Sequence, residues 1–143
     1  KSQGPIVRCQ GTDITLVGAG FSAYQCELVA DELRTKNISA EGIDLRVINP
    51  LDVSLVVSSV QKTGQLCVVD GSWKTCGLAG EVIAATIEKI SLSCLKNKPL
   101  RITLPDAPAP ASSALEAIYY NDVAGITLKI KEHLSERVVS NSN

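Results

Sequence analysis

The sequence predicts an α/β domain in which short buried strands alternate with amphipathic helices around a mostly parallel sheet. Three observations support this prediction. The 143 residues are 45% hydrophobic and 20% charged, which is typical of one globular domain. Short apolar runs rich in β-branched residues recur along the chain, and amphipathic segments with helical spacing separate them. Because only 3% of the residues are aromatic, the core must consist of Ala, Val, Ile and Leu.

The first third of the chain predicts a linker, a strand, a helix and a second strand. Residues 1–11 contain two glycines and a proline, which indicates an incoming linker. The apolar run at 14–17 predicts a buried strand, and residues 42–48 predict another. Between them, residues 21–36 predict a helix. Its apolar face comprises Cys26, Val29, Ala30 and Leu33.

The rest of the chain continues this alternation. Pro50 cannot lie in a central strand, so the chain breaks there. Asp52 is predicted to cap a second helix that runs to about residue 63, and Gly64 is predicted to end it. A central strand is predicted at 66–70 and a loop at 71–77. The longest helix follows at 79–95 and a fourth strand at 99–104. A final helix at 123–137 is predicted to be capped by Asp122.

Two further segments complete the predicted organisation. Residues 105–110 form a proline-rich loop biased to polyproline conformation, and Ser112 or Ser113 is expected to cap a short helix that runs to Tyr120. Residues 139–143 are expected to be a disordered tail. The domain itself is therefore expected at residues 12–138.

Composition argues against several classes of function. The net charge is −1, from 14 basic and 15 acidic residues, which disfavours a nucleic-acid-binding protein. No run of 18 apolar residues is present in the sequence, so we expect no membrane-spanning helix. The five cysteines are widely spaced and form no C-x-x-C pair, which argues against a zinc site and a disulfide framework. A reducing compartment is therefore expected, the cytoplasm or the mitochondrial matrix.

The segment Gly18–Ala23 has the form G-x-G-x-x-A of a dinucleotide-binding turn. Such a site also needs an acidic residue at the end of the second strand, and that strand is predicted to end at 45–49 without one. Glu41 and Asp44 are expected at its beginning, at the wrong edge of the sheet. We therefore interpret the glycines mainly as packing residues. The alternatives are a nucleotide site, or a weak anion site formed by Gly20, Phe21 and Ser22.

The loop at 71–77 holds the only tryptophan of the chain, Trp73. This side chain is expected either to cover one end of the core or to anchor an interface, and the two interpretations have equal weight. Asp70 ends a predicted strand and Asp106 follows another, so the two could face one crevice. His133 is expected on a solvated helix, so Cys76 lacks a base and no catalytic residue is assigned.

Four stretches resemble the C-terminal domain of the transketolase family, in the same order and spacing: "GTDITLVGAG", "GIDLRVINPLD", "VVDGSWKTCGLAGEV" and "LPDAPAPASSALE". The resemblance runs from about residue 5 to residue 130. It is strongest to the β subunits of thiamine-diphosphate-dependent 2-oxo acid dehydrogenases of the pyruvate type. The chain departs from the family pattern at four positions. Lys74 replaces Pro, Cys76 replaces His or Phe, Ala79 replaces Gly, and Ser112 stands where Tyr is common.

This resemblance implies a three-layer α/β/α, Rossmann-like domain with a mostly parallel five-stranded sheet. It implies an assembly domain that is not catalytic alone. Thiamine diphosphate and Mg²⁺ would bind outside this chain, to a pyrophosphate-binding domain and to a pyrimidine-binding domain that supplies a glutamate. The implied partners are other domains or subunits, in a homodimer or hetero-oligomer, and an acyltransferase core. The expected interface residues are Trp73, Lys74, Cys76, Pro108 and Pro110.

Three alternatives to a dehydrogenase β subunit stay open, one of which is a pure interaction domain that has lost any enzyme partner. The Pro-Leu-Asp at 50–52 also occurs in deoxyxylulose-phosphate synthases, so the chain could be the C-terminal domain of such an enzyme or of a transketolase. It could also be a stand-alone nucleotide-binding module that uses Gly18–Ala23.

Overall fold

A computed structural model describes residues 4–106 and 121–140. Within these ranges the strands are β1 (Ile6–Cys9), β2 (Ile14–Gly18), β3 (Ala40–Asp44), β4 (Leu66–Trp73) and β5 (Leu100–Leu104). The helices are α1 (Phe21–Arg34), α2 (Ser54–Thr63), α3 (Leu78–Ile87) and α4 (Val123–Ser140), with a short 3-10 helix at Leu92–Cys94. None of the described helices is long and apolar enough to cross a membrane.

The strands form one sheet in the order β1-β3-β2-β4-β5. β3, β2, β4 and β5 are parallel, and β1 is antiparallel to β3 at one edge. Helices α1 and α4 pack on one face of the sheet, while α2 and α3 pack on the other. The predicted three-layer architecture with a mostly parallel five-stranded sheet is therefore confirmed.

Aliphatic side chains fill both layers of the core. Every residue of the central strand β2 is buried, since the sheet is covered on both faces. The predicted apolar face of α1 is buried, and it packs with Ile126 and Ile130 of α4. Gly64 ends α2 with a left-handed φ of 73°, as predicted.

The predicted linker at 1–11 contains the edge strand β1. Ile6, Val7 and Cys9 pair with the outer side of β3, whose backbone groups would otherwise lack partners on that side. The side chain of Arg8 adds an ion pair with Asp44 at the end of β3, with 2.8 Å between Nη2 and Oδ2. The linker prediction was wrong because glycine and proline content indicates where a chain can turn but not whether the residues between the turns pair with a neighbouring strand.

The second predicted strand, at 42–48, is displaced toward the N-terminus. β3 ends at Asp44 because this side chain turns the backbone out of the sheet: its Oδ1 accepts the Arg46 N–H at 2.9 Å. Arg46 has a φ of 63°, and the Val47 N–H donates to the Leu45 carbonyl at 2.7 Å. These contacts close a tight turn around Arg46.

Several other boundaries differ from the predictions. The helix predicted at 79–95 ends at Ile87, and the chain then binds back to the end of α2, where the Lys96 N–H donates to the Gly64 carbonyl at 2.8 Å. β4 runs on to Trp73, which pairs with Leu104, so the predicted loop at 71–77 begins inside a strand. α4 extends to Ser140, into the predicted tail. The predicted proline-rich loop beyond residue 106, the short helix and residues 141–143 lie outside the described residues.

Candidate functional site

The carboxyl ends of the parallel strands meet at one edge of the sheet, where ligand and partner sites of α/β domains gather. The glycine turn follows β2 at this edge, and the segment 71–77, here called the Trp73 loop, begins at the end of β4. Most of the predicted site residues are thus brought to a common edge. Pro108 and Pro110 lie outside the described residues.

Asp70 holds the Trp73 loop against the start of α3. The residue is only 8% exposed, and its Oδ1 accepts the Ser72 N–H at 3.0 Å. Its Oδ2 accepts the Ser72 hydroxyl at 2.6 Å and the Ala79 N–H at 3.0 Å. Because Ala79 lies in the first turn of α3, the carboxylate also faces the positive end of that helix.

Asp106 binds the same loop from the end of β5. Its carboxylate accepts the Thr75 N–H at 3.0 Å and the Thr75 hydroxyl at 2.5 Å. These two hydrogen bonds, the hydroxyl bond first, hold the pKa of Asp106 below its ordinary value. Arg101 of β5 donates to the Lys74 carbonyl at 3.3 Å. Asp70 and Asp106 therefore both position the loop.

Gly77 closes the loop at a point of very close backbone approach. A Cβ built there would lie 2.1 Å from the Trp73 carbonyl oxygen and 3.1 Å from Asp70 Oδ2. No side chain can be accommodated at that distance, so this position requires glycine. The loop is consequently held in one compact shape by its backbone as well as by the two carboxylates.

The side chains of the Trp73 loop point largely outward. Trp73 is 55% exposed, so it does not serve mainly as a cover for the core. Lys74 and Cys76 are exposed as well, and Cys76 has a φ of 59°, a conformation uncommon outside glycine. Together with Leu104 and Leu78, the loop borders an open depression of about 480 Å³. A rigid loop that displays an aromatic side chain is suited to protein contact.

Asp44 occupies the position that a dinucleotide site would require, contrary to the sequence prediction. It ends β3 directly beside Gly18 of β2, at the carboxyl edge. However, it is only 4% exposed, and its oxygens already accept from the Arg8 guanidinium and the Arg46 amide. The sequence argued against ribose binding because no acid was expected at this edge. The structure argues against it because the acid is present but is engaged in an ion pair with Arg8.

The two glycines of the turn have separate structural roles. A Cβ on Gly18 would lie 2.7 Å from the backbone nitrogen of Ala23, so this position is set by close packing of the turn against α1. Gly20 has open space around it but a φ of 59°, which glycine adopts without strain.

His133 does not lie on a solvated helix face, as the sequence had suggested. It is buried, and its Nε2 lies 2.9 Å from the Lys98 carbonyl oxygen, which precedes β5 at the amino edge of the sheet. Cys76 lies at the carboxyl edge, so the fold separates the two side chains. Among residues 4–106 and 121–140, no group of three or more His, Cys, Asp or Glu side chains is placed to hold a metal ion.

Burial gives most of the cysteines a structural role. Cys26 and Cys67 are buried in the same core cluster, and desolvation raises the pKa of Cys67 to about 12. Cys9 and Cys94 are partly buried, whereas Cys76 is exposed. The buried thiols therefore stay neutral and pack as small apolar groups.

Comparison with known proteins agrees with this geometry. Residues 3–126 match the family described as "Transketolase, C-terminal domain". The chain belongs to the transketolase C-terminal domain family. A solved structure titled "Split gene transketolase, inactive beta4 tetramer" superimposes with a TM-score of 0.80 at 20% identity, over 94% of this chain and 43% of that one. At this level of identity the superposition supports the fold.

Curated relatives of this family member include subunits of pyruvate dehydrogenase. The pyruvate dehydrogenase E1 component subunit beta of Bacillus subtilis is 36% identical over 129 residues, which are 88% of this chain and 39% of the relative. The mitochondrial E1 component subunit beta of Homo sapiens is 32% identical over 126 residues, which are 88% of this chain and 35% of the relative. The chain thus spans less than two fifths of the length of these relatives.

Proposed function

We propose that this transketolase C-terminal domain assembles a thiamine-diphosphate-dependent 2-oxo acid dehydrogenase, as part of a β subunit of the pyruvate type. The identity of 36% to a pyruvate dehydrogenase E1 β subunit supports the dehydrogenase branch over a transketolase or a deoxyxylulose-phosphate synthase. The complete enzyme would decarboxylate a 2-oxo acid and pass on the acyl group. It would work in the cytoplasm or in the mitochondrial matrix, since the relatives include a protein of Bacillus subtilis and a mitochondrial protein of Homo sapiens.

The Trp73 loop is the observation that carries the assembly role. Two carboxylates and a required glycine hold the loop in place, yet its aromatic, basic and thiol side chains face outward. Holding the loop in advance lowers the entropy that a contact must offset, and a tryptophan is among the side chains that contribute most at interfaces. Trp73, Lys74 and Cys76 are accordingly proposed to contact another domain or subunit, in a homodimer, a hetero-oligomer or a complex with an acyltransferase core.

The cofactor of the complete enzyme is proposed to bind outside this chain. The carboxylates at the carboxyl edge, Asp44, Asp70 and Asp106, each accept hydrogen bonds from separate groups and do not converge on one point. This arrangement does not fit a Mg²⁺-bound diphosphate, which needs several oxygen ligands around the ion. The role of the domain is therefore indirect, through the position that it gives to its partners.

Isothermal titration calorimetry of the 143-residue chain with thiamine diphosphate and MgCl2 tests this placement. No saturable heat is expected at millimolar ligand, because the described carboxylates are committed to internal bonds. The same titration of the complete protein, in which the other domains are present, serves as the positive control. Tight binding by the chain alone would show that the domain assignment is wrong.

Trp73→Ala is expected to weaken assembly of the complete protein, with a rise of about thirtyfold or more in the dissociation constant, as for truncation of an interface hot spot. Sedimentation velocity over a dilution series measures this constant. Leu128→Ala is the matched control, since Leu128 is a similarly exposed apolar residue on α4, away from the loop. Equal dissociation constants for both variants would contradict the interface.

A further inference from the structure

Helix α1 exposes a stripe of large apolar side chains on the side that faces away from the sheet. Phe21, Tyr24 and Leu28, here called the α1 stripe, are 72%, 54% and 36% exposed. Their spacing of three and four residues aligns them along one side of the helix. The buried side, which includes Cys26 and Ala30, lies opposite. Since the outer side of a surface helix is normally polar, the stripe indicates a contact surface.

The two aromatic rings of the stripe lie together at the surface. The ring centroids of Phe21 and Tyr24 are 6.4 Å apart, a separation typical of aromatic pairs. With Trp73 they are the phenylalanine, tyrosine and tryptophan side chains in the described part of the chain, and all three are more than half exposed. The core is aliphatic, so the fold displays these aromatic side chains where they can contribute to association.

The charges of α1 are arranged against the dipole of their own helix. Acidic residues stabilise the first turn of a helix and basic residues the last turn. The first turn of α1 contains no acidic residue, and Gly20 provides no side-chain cap. In its last turn Asp31 and Glu32 are exposed, and Arg34 pairs with Asp31 at 3.2 Å. The positive start of α1 and the carboxylate of Glu32 can therefore both gain from a partner that carries the reverse arrangement.

A second copy of α1 that runs antiparallel matches both patterns. Phe21 and Leu28 lie about 10 Å apart along the helix, with Tyr24 near the midpoint. A two-fold axis beside Tyr24 places Phe21 of each copy on Leu28 of the other and brings the two Tyr24 rings together. Glu32 then lies about 6 Å beyond Phe21 of the other copy, at the positive start of that helix. A parallel pair would instead bring the two acidic ends together.

We propose that the α1 stripe is a self-association surface through which two copies of this chain pair antiparallel along α1. Three side chains from each copy cover less than the roughly 1,200–2,000 Å² that a stable dimer buries. The pair is therefore weak, with a dissociation constant of about 100 µM. Trp73 lies outside the stripe, so pairing through α1 is separable by mutation from the assembly proposed for the Trp73 loop.

Sedimentation velocity of the 143-residue chain between about 5 and 500 µM tests the pairing. The weight-average sedimentation coefficient of the parent chain should rise with concentration. Tyr24→Lys places two positive charges together at the two-fold axis and should keep the chain monomeric. Since Tyr24 is exposed, this variant should retain the circular dichroism spectrum of the parent. Leu92→Lys is the matched control, because Leu92 is 65% exposed on the 3-10 helix after α3, and it should pair like the parent.

The antiparallel orientation has its own tests. Glu32→Lys should weaken pairing by about fivefold, because it removes the carboxylate from the start of the other helix. Its urea midpoint should not fall, since a lysine suits the last turn of its own helix. In mixed labelled and unlabelled chain, an isotope-filtered NMR experiment should detect contacts between the Phe21 ring of one copy and the Leu28 methyl groups of the other.

Three results would each overturn the proposal. The first is a sedimentation coefficient that does not rise with concentration, or that rises equally for Tyr24→Lys and the parent. The second is loss of pairing in Trp73→Ala with retention in Tyr24→Lys, which would assign the contact to the Trp73 loop. The third is a chain that stays monomeric while Tyr24→Lys weakens assembly of the complete protein, which would show that a different subunit covers the stripe.

Discussion

Asp70→Ala is expected to lower the free energy of unfolding by about 3 kcal/mol, because one buried carboxylate satisfies three donors. Removal of the carboxylate leaves the Ala79 amide without its acceptor at the start of α3 and removes the charge that faces the helix dipole. The Ser72 amide and hydroxyl lose their shared acceptor as well. Urea denaturation monitored by far-UV circular dichroism measures the change.

Asp52→Ala is the matched control for Asp70→Ala. Asp52 is an exposed aspartate that accepts the Ser54 amide at 2.9 Å near the start of α2, so its loss should cost about 0.5 kcal/mol. Amide hydrogen exchange should separate the two roles of Asp70, with faster exchange at Ser72 and Ala79 than at the core of β4. If Asp70→Ala and Asp52→Ala had equal stabilities, Asp70 would not be the residue that holds the Trp73 loop.

Lys62→Met is expected to cost about 2 kcal/mol at pH 7, because it leaves the buried carboxylate of Glu41 without its cation. The Lys62 ammonium lies 2.5 Å from Glu41 Oε1, and the Gly11 amide donates to the same oxygen at 3.3 Å. Lys62 is half-exposed, which places the expected cost below that of a fully buried pair. Lys36→Met serves as the control, since Lys36 is exposed and makes no ion pair within the described residues.

The pH dependence of this pair follows from the pKa of Glu41. Burial alone raises that pKa, but the hydrogen bonds from Lys62, Ser59 and the Gly11 amide outweigh it, so the pKa lies below its ordinary value. The unfolded chain therefore takes up the proton first. The contribution of the pair is complete above the ordinary glutamate value of about 4.3 and is lost as the pH falls through the lower folded value.

In Lys62→Met the pKa of Glu41 should rise above its value in the parent chain, because the hydrogen bond and the charge of Lys62 are lost while the burial remains. The stability deficit of this variant should shrink as the pH falls, since protonation removes the uncompensated charge. Denaturation midpoints at several values between pH 4 and pH 8 measure the trend. The double variant Glu41→Gln/Lys62→Met should recover much of the loss at pH 7. A deficit that is constant with pH would show that Lys62 acts through packing rather than through Glu41.

Local patterns in the sequence determined the α/β alternation, the buried face of α1 and the end of α2. Cys26, Val29, Ala30 and Leu33 have to share one side of any helix formed by that segment, and a left-handed Gly64 ends a helix wherever the domain lies. These features depend on residues within one or two turns of each other, so a single sequence contains them. The order of the four quoted motifs likewise predicted the transketolase C-terminal family.

Contacts between distant segments decided the rest. Arg8 lies 36 residues from Asp44, and Thr75 lies 31 residues from Asp106. A local sequence pattern therefore predicts neither hydrogen bond. Only the sheet order brings β1 beside β3 and β5 beside β4. That order made the predicted linker a strand, made Asp44 an internal ion-pair partner, and gave Asp70 and Asp106 the task of holding the Trp73 loop. The residue type determines the chemistry of a side chain, but its role depends on which partner the fold places within hydrogen-bonding distance.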